Sequence, residues 1–396
     1  MSFGFRVFRG NIQVIERETK LSGCIGCILW LLLMSANAEA QIEGNLLSPE
    51  AVSVFAGTQF YSRTVEYADR KEEVQAWVFP LFVTGAEIKG WNIWVHQPGF
   101  SAQLKGDSSV SGLADTRIRA SRFFLDETAI VAGGLSLPLT GIEPEADLLD
   151  LEGLLNTEVL QFPVSKLTEG FDLDLGIAWA KTFKTISVSM GGGYLVKGSY
   201  DRIYQVMGDE ASVGEYDPGN ELSLTAGFNF RRGITSLHGK ILYLRYGDDT
   251  LKGEYMFTSG PELSGYLSAT FRFRPVTLIL FAKDTIKDED SFPQDIDIPT
   301  RNSFATRFEA GTGLICPLLD EAIILKAETS MKNLSDADGE ITDQVLNFNL
   351  GGQVSLRPDL VLEAKVDFLL NGYMDDGEAD ISGFGLGLLL HYSFGK

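Results

Sequence analysis

The stretch Ile381 to Phe394, ISGFGLGLLLHYSF, constrains the fold more than any other part of the chain. Read at every second residue, Phe384, Leu386, Leu388, Leu390, Tyr392 and Phe394 form one apolar and aromatic face. The opposite face is Gly383, Gly385, Gly387, Leu389, His391 and Ser393, mostly small or polar. A two-residue period puts alternate side chains on opposite sides of a sheet. An apolar face ending in an aromatic pair near the end of the chain matches the closing strand of an outer-membrane barrel, with lipid outside and a polar lumen inside. Gly395 and Lys396 extend past the aromatic residue that usually ends such a strand. A soluble sheet can carry the same alternation, so the other strands have to decide.

Three of them repeat the pattern. Leu222, Leu224, Ala226, Phe228 and Phe230 oppose Ser223, Thr225, Gly227, Asn229 and Arg231. Leu346, Phe348, Leu350, Gly352, Val354 and Leu356 oppose Asn347, Asn349, Gly351, Gln353 and Ser355. Leu362, Ala364, Val366 and Phe368 oppose Glu363, Lys365 and Asp367. Three consecutive charges buried in a dry core would cost several kcal/mol each unless well paired. A watered lumen removes most of that cost, which argues against a soluble fold.

Twelve further strands fit around 51–61, 74–85, 91–104, 116–125, 128–140, 172–181, 186–199, 236–247, 263–274, 276–287, 303–315 and 322–332. The total is sixteen, or fourteen if one of the first three is misread. Connections alternate in kind. Short ones are Leu125–Thr128, Arg231–Gly233, Arg274-Pro275 and Arg357–Asp359; long ones are 141–170, 200–219, 288–301, 333–343 and 373–380. Short periplasmic turns and long outer loops are what a bacterial barrel shows, and an even strand count puts both termini in the periplasm. No similar segment recurs every 20–50 residues, which excludes a propeller or solenoid.

Composition agrees. The 396 residues include 42 glycines and 13 prolines, and no linker or low-complexity tract divides them. A formal charge of −21 excludes nucleic acid as a partner, which would need the opposite field. Arg6, Arg9, Arg17 and Lys20 precede an apolar run from Leu21 to Met34, and small residues follow as Ala36-Asn37-Ala38 and Ala38-Glu39-Ala40. This is the layout of an export signal over residues 1–40, with the barrel over 41–396. Cleavage after Ala40 removes Cys24 and Cys27 and leaves Cys316, so the sequence offers neither an internal disulfide nor a thiolate metal site.

Ser111 to Gly141 reads SGLADTRIRASRFFLDETAIVAGGLSLPLTG. It resembles the outer-membrane family described as "MetA-pathway of phenol degradation", whose members start one strand with Gly-x-Gly-Asp and end the next hairpin with Pro-Thr-Gly. Here Gly112-Leu113-Ala114-Asp115 has alanine for the second glycine, and Pro138-Leu139-Thr140-Gly141 has one extra residue. Gly90-Trp91-Asn92-Ile93-Trp94-Val95 with Pro98 is similar to that family's preceding hairpin. The resemblance covers about 50 residues and implies a barrel passing aromatic or other hydrophobic small molecules.

Candidate site residues follow from parity. Arg117, Arg119, Arg272, Arg274, Arg307, Lys326 and Lys365 point inward, near Glu309, Glu328, Glu363 and Asp367. They either pair and stiffen the wall or form a constriction whose field orients solutes. Between Glu143 and Phe162, Pro144, Glu145 and Asp147 suit the first turn of a helix, and Leu148, Leu151, Leu154 and Leu155 fall on one stripe. Gly153 weakens that helix by about 1 kcal/mol. A stripe of leucines in water must bury itself, and the inside of the barrel mouth is the nearest apolar surface, so the segment reads as a lid or constriction. Pro98-Gly99 interrupts a strand-like run and marks a wall kink, because proline cannot donate to the ladder. The kink is either a local bend or a lateral exit for apolar solutes.

Three histidines leave little room for catalysis. His391 and Ser393 stand side by side in any strand, His96 and His238 have no recognisable partners in sequence, and no catalytic, cofactor or metal residue is assigned. Asp336-Ala337-Asp338-Gly339-Glu340 has only part of a calcium loop. Acidic loops at Glu143–Glu152, Asp288–Asp297 and Asp375–Asp380 read as a solvated surface that bridges lipopolysaccharide through divalent cations. The expectation is an all-β transmembrane antiparallel barrel in the cell outer membrane, without cofactor, passing small-molecule solutes and contacting outer-membrane lipid. A non-conducting surface barrel and an outer-membrane hydrolase are the alternatives. Which solute passes and whether barrels associate are left open.

Overall fold

The structure, a computed structural model, describes residues 52–394 apart from 107, 140–147, 164–169, 208–209, 294–305, 320, 337–338 and 375–376. The proposed export signal therefore lies outside the described residues.

From the N-terminal side the wall is β1 (Val52–Tyr67), β2 (Lys71–Ile88), β3 (Trp91–Leu104), β4 (Ser109–Leu113), β5 (Thr116–Phe124), β6 (Ala129–Leu137), β7 (Asp172–Phe183) and β8 (Ile186–Val196). A helix, α1 (Leu149–Asn156), lies in the connection between β6 and β7. After a hairpin of β9 (Tyr200–Met207) and β10 (Glu210–Asp217) the wall resumes with β11 (Glu221–Arg232) and β12 (Thr235–Tyr246). A second pair, β13 (Asp248–Leu251) and β14 (Glu254–Thr258), precedes β15 (Glu262–Arg272), β16 (Thr277–Lys287), β17 (Thr306–Leu318) and β18 (Ile323–Ser335). The wall ends with β19 (Ile341–Arg357), β20 (Leu360–Met374) and β21 (Ala379–Phe394).

All wall pairings are antiparallel, and β21 returns to β1 in continuous register from Val52↔Phe394 to Tyr67↔Ala379. Both β4 and β5 pair with β3, at its outer and inner halves respectively, so together they are one interrupted strand. Counted so, sixteen strands close the barrel, and they are the sixteen that the alternation marks out.

Among the described residues every wall strand except β4 is paired on both sides, and the outward face is apolar, which is what a hydrocarbon environment requires. On β21 the outward Leu386 and Leu388 are 47% and 48% exposed, and the inward Gly385, His391 and Ser393 are buried. The same parity holds on β20, where Phe368 and Leu370 face out and Leu369 faces in. The chain is thus a transmembrane barrel of the outer-membrane type. The ends beside Val52 and Phe394 carry the short turns. One is Lys89-Gly90, whose φ values of 52° and 80° make the primed turn that suits a tight hairpin. The opposite, outer end carries the long connections.

Two outer connections are more ordered than the alternation indicates. The stretch 200–219, read as a long loop, contains β9 and β10, which join β13 and β14 in a separate four-stranded sheet. Buried Tyr216 donates its hydroxyl to Asp249, and Asp249 also accepts the Gly219 N–H at 2.7 Å. One carboxylate thereby ties two connections together, a long-range contact that strand periodicity does not reveal.

Candidate functional site

Inside the outer half of the barrel the connection between β6 and β7 folds inward. Pro144, Glu145 and Asp147, read as a first helical turn, lie outside the described residues; in α1 the first turn carries Asp150 and Glu152, favourable to its dipole. Thr157 ends it: its N–H reaches the Leu154 carbonyl at 3.2 Å and its hydroxyl the Gly153 carbonyl at 2.9 Å. Leu151, Leu154 and Leu155 are buried, as are Val159, Leu160 and Phe162 beyond the helix, and Leu148 packs against them. Leu151 and Leu160 have no measurable exposure. Their surroundings are inward residues at the outer ends of strands, among them Val65, Val74, Leu104, Leu334, Val345 and Leu369. Burial contributes roughly 1.5–3 kcal/mol for each large apolar side chain, offset by the entropy of ordering the segment.

Polar contacts fix the segment at two places. Arg63 of β1, 2% exposed, donates from Nε to the Leu160 carbonyl at 2.9 Å and from Nη2 to Asp367 of β20 at 2.7 Å. Those strands are separated by β21, whose small residues make the contact possible. A Cβ on Gly385 would lie 2.2 Å from Asp367 Oδ1, and one on Gly383 would lie 2.7 Å from Arg63 Cδ. At the second place Glu158 meets Arg307 of β17 at 3.1 Å and Lys332 of β18 at 2.9 Å. Burial pushes the Glu158 carboxyl upward, but the neighbouring Lys332 and Arg307 more than reverse this and hold it below the ordinary carboxylate range.

The inner half of the lumen carries a different wall. In register across five strands stand His391, Phe55, Phe82, His96 and Arg117, all on the inward face. Phe55 stacks on His391 at 4.1 Å and Phe82 on His96 at 3.8 Å between ring centroids. Arg119 reaches Asp174 of β7 at 2.9 Å and lies 5.7 Å from the Trp94 ring centroid. Again a glycine in the intervening strand permits the contact: a Cβ on Gly134 would lie 2.2 Å from Asp174 Oδ2. Ser393 shares its hydroxyl with Ser53 at 3.1 Å and with His391 Nε2 at 3.1 Å.

The remaining candidates are distributed along the lumen. Lys365 lies 5.9 Å from the Tyr61 ring centroid, and Glu363 accepts from Gln353 at 2.5 Å. Lys326 and Glu328 are inward on β18. Arg272 and Arg274 are exposed at the inner rim, Arg272 ending β15 and Arg274 in the turn that follows. Several of the charges grouped by parity meet partners outside that group: Arg119 meets Asp174, Arg307 meets Glu158 and Glu262, and Asp367 meets Arg63. Parity gives the face of a residue, and the partner is fixed by register two strands away or by a loop. Pro98 stands directly opposite Pro80 of β2, beside the interruption between β4 and β5. There the Ala114 N–H binds the Pro98 carbonyl at 2.8 Å, and Gln97 Nε2 reaches the Ala114 carbonyl at 2.9 Å. In the outer turn after β18, the Glu340 N–H binds the Asp336 carboxylate at 2.9 Å, a turn-closing contact.

No protein-family model matches the chain, and no curated protein does, so the phenol-degradation family name remains with the resemblance alone. Among solved structures the chain is similar to OprB of Pseudomonas putida, at 11% identity over 87% of this chain and 94% of that one, with a TM-score of 0.48. OccK9 (OpdG) of Pseudomonas aeruginosa follows at 11% identity, 87% and 98% coverage and a TM-score of 0.45. An anion-selective porin from Comamonas acidovorans is 14% identical over 87% and 99%, with a TM-score of 0.39. The barrel assignment rests on the closed ladder and apolar outer face of the chain itself.

Proposed function

We propose that this barrel is a diffusion channel for small molecules across the outer membrane, narrowed on its outer side by residues 148–162 acting as a lid. The observation that carries this reading is how the lid is held. An apolar stripe seats it, while single charged contacts from Arg63, Arg307 and Lys332 pin it, and such contacts exchange with water and solutes more readily than strand pairing does. Arg117, Arg119, Lys365, Asp367, Lys326, Glu328 and Glu363 then line the path beneath it, and Arg272 and Arg274 mark its inner rim. The row of Phe55, Phe82, His96 and His391 offers aromatic solutes ring contacts there, in keeping with the phenol-degradation resemblance. Residues 1–40 act as the export signal. The acidic outer connections contact lipopolysaccharide through divalent cations.

A non-conducting surface barrel is the second reading, and the dry packing around Leu151 and Leu160 is the observation that favours it. Uptake by liposomes carrying the folded chain, with aromatic, fatty and sugar solutes, separates the two. Entry of aromatic solutes ahead of sugars of similar size is the expected result. No uptake of any solute would reject the channel.

A further inference from the structure

Glu158 sits in its site as a bound solute would. One carboxylate oxygen takes Arg307 Nη1 at 3.1 Å and the other takes Lys332 Nζ at 2.9 Å. Both cations belong to the wall, fixed by ladder pairs: Arg307 stands opposite Thr285 and Leu334, and Lys332 opposite Glu309 and Val345. Glu158 belongs to the inserted connection and to no strand.

The local charge balance gives the site a preference. Lys283, inward on β16, adds to the positive field at Glu158. Against Arg307, Lys332 and Lys283 stand Glu158, Glu262, which is 3.6 Å from Arg307 Nη2, and Glu309, opposite both Lys283 and Lys332. Withdrawing Glu158 leaves one of these three cations uncompensated, and Lys240, on the same inward row as Lys283, adds to the positive excess. Arg307 also keeps a buried Nε without a hydrogen-bond partner. A guanidinium and an ammonium placed to take separate oxygens of one planar group suit a carboxylate.

We infer that Arg307 and Lys332 form a binding site for carboxylate-bearing solutes, which Glu158 fills as an internal surrogate until such a solute displaces it. The inference rests on the reading of residues 148–162 as a lid over a conducting barrel. An arriving carboxylate takes over the two cations, Glu158 returns to water, and the lid loses one of its two polar attachments. The solute that crosses is then also the solute that opens the way.

Benzoate serves as the probe, with benzyl alcohol as its uncharged counterpart and inorganic phosphate as a non-carboxylate anion. Binding to the folded full-length barrel is measured by calorimetry, and conductance in planar bilayers with chloride electrolyte. Benzoate is expected to raise the mean conductance of the unaltered chain several-fold, and benzyl alcohol and phosphate to leave it unchanged. Glu158→Gln should conduct at the raised level from the start and bind benzoate several-fold more tightly, because the internal competitor is gone. Arg307→Gln should lose benzoate binding while heat-modifiable barrel folding persists. A purely structural ion pair predicts no gain of affinity in Glu158→Gln, and that result would overturn the inference. So would benzoate binding that survives Arg307→Gln, or phosphate acting as well as benzoate. Deletion of Ala146 to Asn156 separates the two levels. Raised conductance in the deletion with an intact chain indifferent to benzoate rejects the site and keeps the lid. Unchanged conductance in the deletion rejects the lid itself.

Discussion

The outer and inner halves of the lumen are built on the same strands yet differ in kind. On β20 the inward series runs Leu369, Asp367, Lys365, Glu363; on β19 it runs Val345, Asn347, Asn349; on β18 it runs Leu334, Lys332, Ser330, Glu328. Each of these strands places a buried apolar residue, Leu369, Val345 or Leu334, near its outer end above polar inward ones, and on β19 the buried Asp343 lies further out still. The ring of apolar residues makes a dry seat for the connection 148–162, and the polar wall beneath it suits water. A barrel whose lumen is polar throughout has no such ring. The difference teaches that the inward seating of residues 148–162 is specified by the wall as well as by the leucines they carry.

The largest test of this contrast concerns the wall itself. Phe368 faces lipid beside Leu369, which packs among the inward residues 148–162. Phe368→Arg should impair assembly, since an arginine facing lipid costs up to roughly 2–4 kcal/mol, most at the midplane and less toward the interface. Lys365→Ala, on the inward face, should assemble normally. Equal yields of the two folded variants in membranes would mean that the faces are assigned wrongly.

A smaller effect is expected from acid. The Glu158 carboxyl is held below its ordinary value of 4.5 by Lys332 and Arg307, with Lys283 and Glu262 also near the pair. A depressed carboxyl stabilises the closed lid fully above its ordinary value, and loses that contribution as pH falls through the lowered one. Conductance recorded from pH 7 downward should therefore rise in the acid range, and Glu158→Gln should show no such rise. An identical acid response in both would assign it to other groups.

The smallest effect is expected at the wall kink. Pro98 and Pro80 face each other beside the break between β4 and β5, so this part of the wall has fewer ladder bonds than its neighbours. If the kink is a lateral exit, Pro98→Thr should slow uptake of apolar solutes more than polar ones. Equal changes for both would leave it a local bend.

Much of the barrel was legible because each strand carries its own evidence: alternation along Leu362–Phe368 or Ile381–Phe394 is set by the two-residue period and needs no partner. The stripe Leu148, Leu151, Leu154 and Leu155 was legible for the same reason, with a helical period. What the sequence hides is contact across strands. Arg63 meets Asp367, 304 positions away, only because Gly383 and Gly385 leave room between them. The same holds for Arg119, Gly134 and Asp174. One signal was available and missed: Leu369 follows Phe368 directly, and two adjacent large apolar residues in an alternating strand require a second apolar surface on the lumen side. Ile381, which shares its parity with Gly383, carries the same message.

The proposed lid role of residues 148–162, seated on the apolar ring, is tested most directly by single-channel recording of a deletion. Removing Ala146 to Asn156 should raise the conductance of a barrel that still shows heat-modifiable folding. A well-folded deletion with unchanged conductance would contradict the account.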